Sequence, residues 1–258
     1  MFLLIDKEKL KTYATLLATV LILFSIAGKV NTNISTIETN VNIQKQLPIY
    51  NVDTQENEVA LTMNCAWSAD DIDSILETLR NNNITITFFV VGDWIDKYPD
   101  AVQKIAESGN EIGVHSNTHP HVNNLSYEKN IEEMEKCNEK IKKITGKRTN
   151  LYRTPYGEYN DTVILAAKDK GYFPIQWNID TLDYNSLTGE EMWKRIDEKL
   201  SKGSIILSHN GTAHTADSLD MIIKNIKSEG YEIVQVSELI YKDNFKINSN
   251  GTQVKMNE

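Results

Sequence analysis

The chain is poor in sulfur, histidine and positive charge, and each shortage excludes something. Two cysteines in 258 residues cannot build a disulfide framework. Lys and Arg number 27 against 36 Asp and Glu, a formal charge of −9. That balance provides no field to gather phosphates, so nucleic acid is excluded as a partner class. No G-x-G-x-x-G or P-loop follows any apolar run, and a nucleotide-binding fold has no support. Beyond one N-terminal run there is no long hydrophobic stretch, which rules out a multi-span membrane protein. The 40% hydrophobic content is enough for a globular core and excludes disorder of the whole chain. The five histidines all lie between positions 115 and 214.

The one long apolar run is Tyr13 to Gly28, preceded by Lys7, Lys9 and Lys11 and closed by Lys29. A basic lead and about 16 apolar residues fit the hydrophobic region of a signal peptide or a short membrane anchor. Ser25-Ile26-Ala27 offers small residues for cleavage. Export follows from either reading, with residues 1–28 as signal or anchor. Residues 29–46 are Asn/Thr-rich and read as a polar linker, and 243–258 as a polar, frayed tail.

Between them, apolar runs and amphipathic segments alternate. Glu58–Met63, Ile84–Val91, Glu111–His115, Leu151–Arg153, Phe173–Trp177, Ser204–Ser208 and Glu232–Val236 read as strands. The intervening segments carry helical periodicity: Ile72, Ile75, Leu76 and Leu79 fall at i, i+3, i+4 and i+7. Ser68-Ala-Asp-Asp71 fits a capping box ahead of that helix, and Gly109, Gly146, Gly171 and Gly230 stop helices. Strand–helix alternation over about 190 residues implies a parallel sheet, open or closed into a barrel.

In such folds the functional loops follow the strands. Polar residues at those ends are His115, His119, Arg153, Asp180, Asp183 and His209. His115 and His119 form H-x-x-x-H, which on a helical turn would chelate a divalent metal. His121, beyond Pro120, points elsewhere. Arg153-Thr-Pro155-Tyr156-Gly157 is a tight turn able to aim N–H groups at an oxyanion. His209 ends an apolar strand and can act as a general acid oriented by Asp183. Cys65, after the first strand, is either a thiolate ligand or a small buried filler, and Cys137 is core.

LTMNCAW, FFVVG, EIGVHSNTH, YRTPYGEYN, WNIDTLDY, GSIILSH and GYEIVQVSELI occur in this order. Together they resemble the polysaccharide deacetylase (NodB-homology) family of carbohydrate esterases, over about 47–241; with LPIYNVDT ahead of them the likeness is to the membrane-anchored, sporulation-associated branch. The resemblance implies an irregular, TIM-like (β/α) barrel with fewer than eight repeats, placed here at 47–242. It implies metal-dependent removal of N-acetyl groups from a cell-wall or other polysaccharide, with zinc preferred, outside the cytoplasm of a bacterium. By motif, His115 and His119 would be metal ligands, His209 the catalytic acid and Asp183 its tether. Arg153 would hold the base, and Pro155, Tyr156, Tyr184 and Leu207 would meet substrate. Tyr184 stands where the family usually has Trp.

One motif departs. The family reads T-F-D-D, base then third metal ligand; here stand Thr62-Met63-Asn64-Cys65. Asn64 accepts no proton at neutral pH, and Cys65 puts a soft thiol where a carboxylate would be. Asp70 and Asp71 are substitute carboxylates nearby. The sequence therefore supports two functions, a deacetylase impaired at its base and an inactive glycan-binding or structural wall protein.

Overall fold

The computed structural model describes residues 7–32 and 45–256. It divides into two units, 1–44 and 45–258. Within the first, Lys7–Thr32 is a single helix, α1. Among the described residues no helix is long and apolar enough to cross a membrane. Most of the linker expected at 29–46 lies outside the described residues.

The second unit opens with a short strand β1 (Asn51–Val52) and the long central strand β2 (Glu58–Cys65). There follow α2 (Ile72–Asn81), β3 (Thr87–Val90), α3 (Gly92–Lys97), α4 (Pro99–Glu107) and β4 (Glu111–Val114). Next come α5 (Tyr127–Thr145), β5 (Leu151–Tyr152), α6 (Asp161–Asp169), β6 (Phe173–Pro174) and β7 (Ile179–Asp180). The chain continues through α7 (Gly189–Asp197), β8 (Ile205–His209), α8 (Thr215–Ser228), β9 (Glu232–Ile233) and α9 (Val236–Leu239). It closes with β10 (Phe245–Ile247) and β11 (Thr252–Lys255).

Strands pair in the order β6-β5-β4-β3-β2-β8-β7, with β9 on the foot of β2, and every pairing is parallel. The result is a curled half-barrel, an irregular (β/α) barrel with helices outside. Residues alternate faces along a strand, and β2 shows the consequence. Val59, Leu61, Met63 and Cys65 join the apolar layer under the helices, whereas Ala60 belongs to the inner cluster with Phe89, Leu151, Ile175 and Ile205. Thr62 and Asn64 share the inner side with Ala60 and continue it towards the site. β1 and the residues just before it span the open edge: Ile49 N–H donates to Pro174 O (2.8 Å) and Val52 N–H to Gly203 O (2.9 Å).

Two local expectations fail. Ser68-x-x-Asp71 makes no capping box; α2 starts after Asp71 without a side-chain cap, because that carboxylate is engaged elsewhere. The tail expected to fray forms the β10–β11 hairpin, whose β11 pairs with β1. Asn248 Oδ1 accepts from the N–H groups of Asn250 (3.0 Å) and Thr252 (2.9 Å), and Gly251 supplies the left-handed backbone at φ +81°. Gln253 is wholly buried, with its amide bonded both ways to the Tyr241 backbone.

Candidate active site

The strand ends surround a cavity of about 660 Å³ lined by Asn64, Trp67, His115, His119, Tyr156, Trp177, Asp180, Tyr184, Leu207 and His209, among others. Parallel register puts Asn64 opposite both Phe89 and His209, so neighbouring strand ends deliver the floor and one wall.

His115 is buried at the end of β4, and its Nδ1 lies 2.9 Å from Arg153 O. A carbonyl only accepts, so Nδ1 carries the proton and Nε2 keeps its lone pair. Burial, with His119 nearby, pushes the His115 pKa well down, and desolvation also lowers that of His119. Both shifts favour the neutral imidazole. Residues 115–119 are not the expected helical turn. Ser116 and His119 adopt left-handed backbone (φ +63° and +56°), yet the rings still meet edge to face, 4.9 Å apart. The bend is held by a residue the sequence did not single out: Glu133 on α5. Its Oε2 accepts from the N–H groups of Asn117 (2.9 Å) and Thr118 (2.8 Å). Successive N–H groups after a left-handed residue form a concavity suited to a carboxylate.

His209 Nδ1 lies 2.8 Å from Asp183 Oδ1, and its backbone N–H donates to Asp183 Oδ2 at 2.6 Å. Thr215 Oγ1 (2.7 Å) and the Tyr184 N–H (3.0 Å) also donate to that buried carboxylate. Trp67 and Tyr184 flank the His209 ring at 5.2 and 5.5 Å. Opposite, Tyr156 sits at φ +58° with its ring stacked on His121 and edge-on to His119. His121 points out to Glu158 and does not line the cavity. Leu207 lines it, while Pro155 lies buried behind the turn.

Arg153 is fully buried. Its Nη1 donates to Thr62 Oγ1 (2.8 Å) and Asn64 Oδ1 (3.1 Å), and Nη2 to Gln176 O (3.1 Å). The guanidinium packs over the Phe89 ring at 4.1 Å. Burial pulls its pKa down to about 9, so it remains a cation at neutral pH.

A model of the polysaccharide deacetylase family matches residues 51–175. The uncharacterized protein YlxY of Bacillus subtilis is 32% identical over 193 residues, covering 75% of this chain and 60% of YlxY. The peptidoglycan-N-acetylmuramic acid deacetylase PdaA of the same organism is 28% identical over 214 residues, 81% of each protein. The crystal structure of a CE4 family pseudoenzyme from Bacillus anthracis superposes with a TM-score of 0.73 at 30% identity, covering 76% of this chain and 70% of that one. The chain belongs to the polysaccharide deacetylase family.

Polysaccharide deacetylases are metal-dependent as a family, and the donor set here tests that for this chain. His115 and His119 offer two imidazoles. The third ligand expected of Cys65 is not at the cavity: its thiol is wholly buried in the outer apolar layer, where burial pushes its pKa well up. Strand alternation is the reason, because Asn64 takes the inward position and its neighbour must face out. Asp71 is also committed. Its oxygens accept from Asn210 Nδ2 (3.1 Å) and the Gly211 N–H (2.7 Å). Among the described residues no three His, Cys, Asp or Glu side chains gather to hold a metal. A catalytic zinc takes three protein ligands, and this deacetylase-family cavity does not provide that set.

Proposed function

We propose that this chain binds an N-acetylated cell-wall glycan in the cavity without hydrolysing it. The observation that carries the reading is Asn64, whose amide stands at the base position with its oxygen turned to Arg153. An amide takes up no proton at neutral pH, so the base half of the reaction is missing. Trp67, Tyr156 and Tyr184 are 49, 58 and 46% exposed around the cavity, suited to lie against sugar rings. The pseudoenzyme among the relatives supports the reading, and a mutant of it is described as having restored enzymatic activity.

A second reading, a slow deacetylase acting in this cavity, is favoured by one observation. The His209–Asp183 pair is fully assembled, with the imidazole Nδ1 on the carboxylate and the ring facing the cavity. That is the geometry of an acid able to protonate a leaving amine. The basic-led apolar segment at 7–28 supports export and a site of action at the cell wall, membrane-anchored or secreted.

The two readings separate in one assay. The full chain is titrated with N-acetylated chitooligosaccharides and with peptidoglycan fragments, and free acetate is measured in the same samples with zinc added. Binding without acetate release is expected. Acetate above the protein-free control favours the deacetylase, and no binding to any of these glycans refutes the proposal.

A further inference from the structure

Arg153 settles the orientation of the Asn64 amide. A guanidinium has five N–H donors and no acceptor, so the atom of Asn64 that meets Nη1 at 3.1 Å is the oxygen. The Nδ2 group therefore points the other way. Asn64 is 4% exposed, and what it exposes lines the cavity. Among the described residues no acceptor meets Nδ2; the remaining bonds of Asn64 are backbone ones, its pairing with β3 and β8 and its carbonyl accepting from the Asn210 N–H at 3.2 Å. A nearly buried amide thus has two unused N–H bonds at the wall of the cavity that His115, Tyr156 and His209 also line.

A carboxylate at this position would have the opposite character. It accepts hydrogen bonds, repels a carbonyl oxygen and takes up a proton; the amide donates, attracts a carbonyl oxygen and takes up none. Tyr156 adds to the same polarity. Its left-handed backbone opens the turn, and among the described residues no oxygen accepts from its N–H. Leu207, on the same cavity wall, offers an apolar surface for a methyl group. Donors to an oxygen and a contact for a methyl are what an acetamido group requires.

We propose that Asn64 is a ligand-binding residue rather than a vacant base: its Nδ2 donates to the carbonyl oxygen of an N-acetyl group, so that the cavity selects N-acetylated over de-N-acetylated sugar. This rests on the glycan-binding reading above and adds which group of the glycan is read, and by which atom. A buried polar donor with no partner is costly when the site is filled by something that cannot accept from it. De-N-acetylated sugar presents an ammonium there, a donor against a donor beside a buried cation.

The test uses the full-length chain, chitotetraose and its fully de-N-acetylated counterpart. Wild type is expected to bind the N-acetylated tetramer at least tenfold more tightly. Asn64→Ala should weaken that binding about fivefold to tenfold, the worth of one hydrogen bond to a buried donor, and leave the de-N-acetylated tetramer unchanged. Because Asn64→Ala also strips an acceptor from Arg153, a second measurement is made on wild type by NMR. The Asn64 side-chain amide pair, assigned by its loss in Asn64→Asp, should shift on adding the N-acetylated tetramer and stay in place with the other. Equal binding of both tetramers by wild type, or an amide pair that does not move, overturns the inference while glycan binding stands. Binding of neither tetramer overturns the inference, and the glycan-binding reading falls with it only if peptidoglycan fragments are not bound either.

Discussion

Arg153 Nη1 donates to Asn64 Oδ1 at 3.1 Å, and this bond joins a wholly buried cation to a neutral amide. The other oxygens that meet the guanidinium, Thr62 Oγ1 and Gln176 O, are neutral too. Removing a charge from water is repaid best by an opposite charge with good hydrogen-bond geometry. Here the repayment comes from dipoles and from the Phe89 face. Burial accordingly depresses the Arg153 pKa, with Asp180 the charge that counters it.

Asn64→Asp supplies the missing charge. A charge-assisted hydrogen bond is roughly twice as strong as a neutral one, so the variant should melt about 2–4 °C higher, as expected of ~1 kcal/mol in a domain of this size. It also supplies a base opposite the intact His209–Asp183 pair. Acetate release from N-acetylated glycan, absent in wild type, should become measurable, since a general base is usually worth ~10²–10⁴ in rate. A folded variant with no gain in melting temperature and no acetate would show that Arg153 is satisfied as it stands.

Glu133 should be the residue on which the His119 bend depends. Two left-handed residues within four positions store strain that surrounding contacts must hold. Glu133→Gln leaves an acceptor but removes the charge, and should cost about 1–2 kcal/mol of the ~1.5–3 kcal/mol that bonds to a charged group supply. Amide hydrogen exchange is the sharper readout. The Asn117 and Thr118 N–H groups should exchange about tenfold faster or more, while the strand amides of β4 keep their protection. Unchanged exchange at 117 and 118 would show that the bend holds itself.

Asp183 is the most heavily used carboxylate of the site, with His209 on both its backbone and ring, Thr215 and Tyr184 as partners. Asp183→Asn turns one acceptor oxygen into a donor that faces donors. The expected loss is about 2–4 kcal/mol in chemical denaturation, within the range for a broken buried network. In NMR the His209 ring resonances should broaden or split as the imidazole loses its fixed orientation. A loss below ~0.5 kcal/mol would mean that the pair contributes little to holding the site.

Much of this fold is legible in the sequence because strand and helix patterns are local. Residues within Glu58–Met63, Ile84–Val91 and Ser204–Ser208 do form β2, β3 and β8, and the helices expected after them follow. What escaped is either very short or long-range. β7 is two residues, defined by pairing with β8 rather than by any pattern of its own. Glu133 lies one helix away from the bend that it holds. The C-terminal hairpin was readable, since Asn248-Ser-Asn-Gly251 between FKI and TQVK is a turn signal, but the polar composition outweighed it. The pairing of Arg153 with position 64 is legible only through the family resemblance, for 89 residues separate them.

Cys65 is the position where a pattern in the sequence bears directly on function. Along β2 the odd-numbered residues Val59, Leu61 and Met63 are apolar, and the even-numbered Thr62 and Asn64 are polar. Period two puts Cys65 with the apolar set, and that is where the structure has it, fully buried. A buried thiol whose pKa is pushed well up holds its proton and reacts slowly, because the thiolate is the reactive species. Iodoacetamide at pH 8 should therefore leave Cys65 unlabelled in the native protein and label it on denaturation, with or without zinc. Cys65→Ala should cost about 1 kcal/mol, the loss of one buried heavy atom, and Cys65→Val should be close to neutral in stability. Cys65→Asp, the change that would write the family motif back into this position, should instead destabilise by several kcal/mol, since it sets a charge in the buried apolar layer beside Val90 with no partner. Rapid native labelling that zinc suppresses would place the thiol at the cavity and return Cys65 to the metal. Slow labelling together with the predicted order of stabilities would show that Cys65 is a core residue and not a metal ligand.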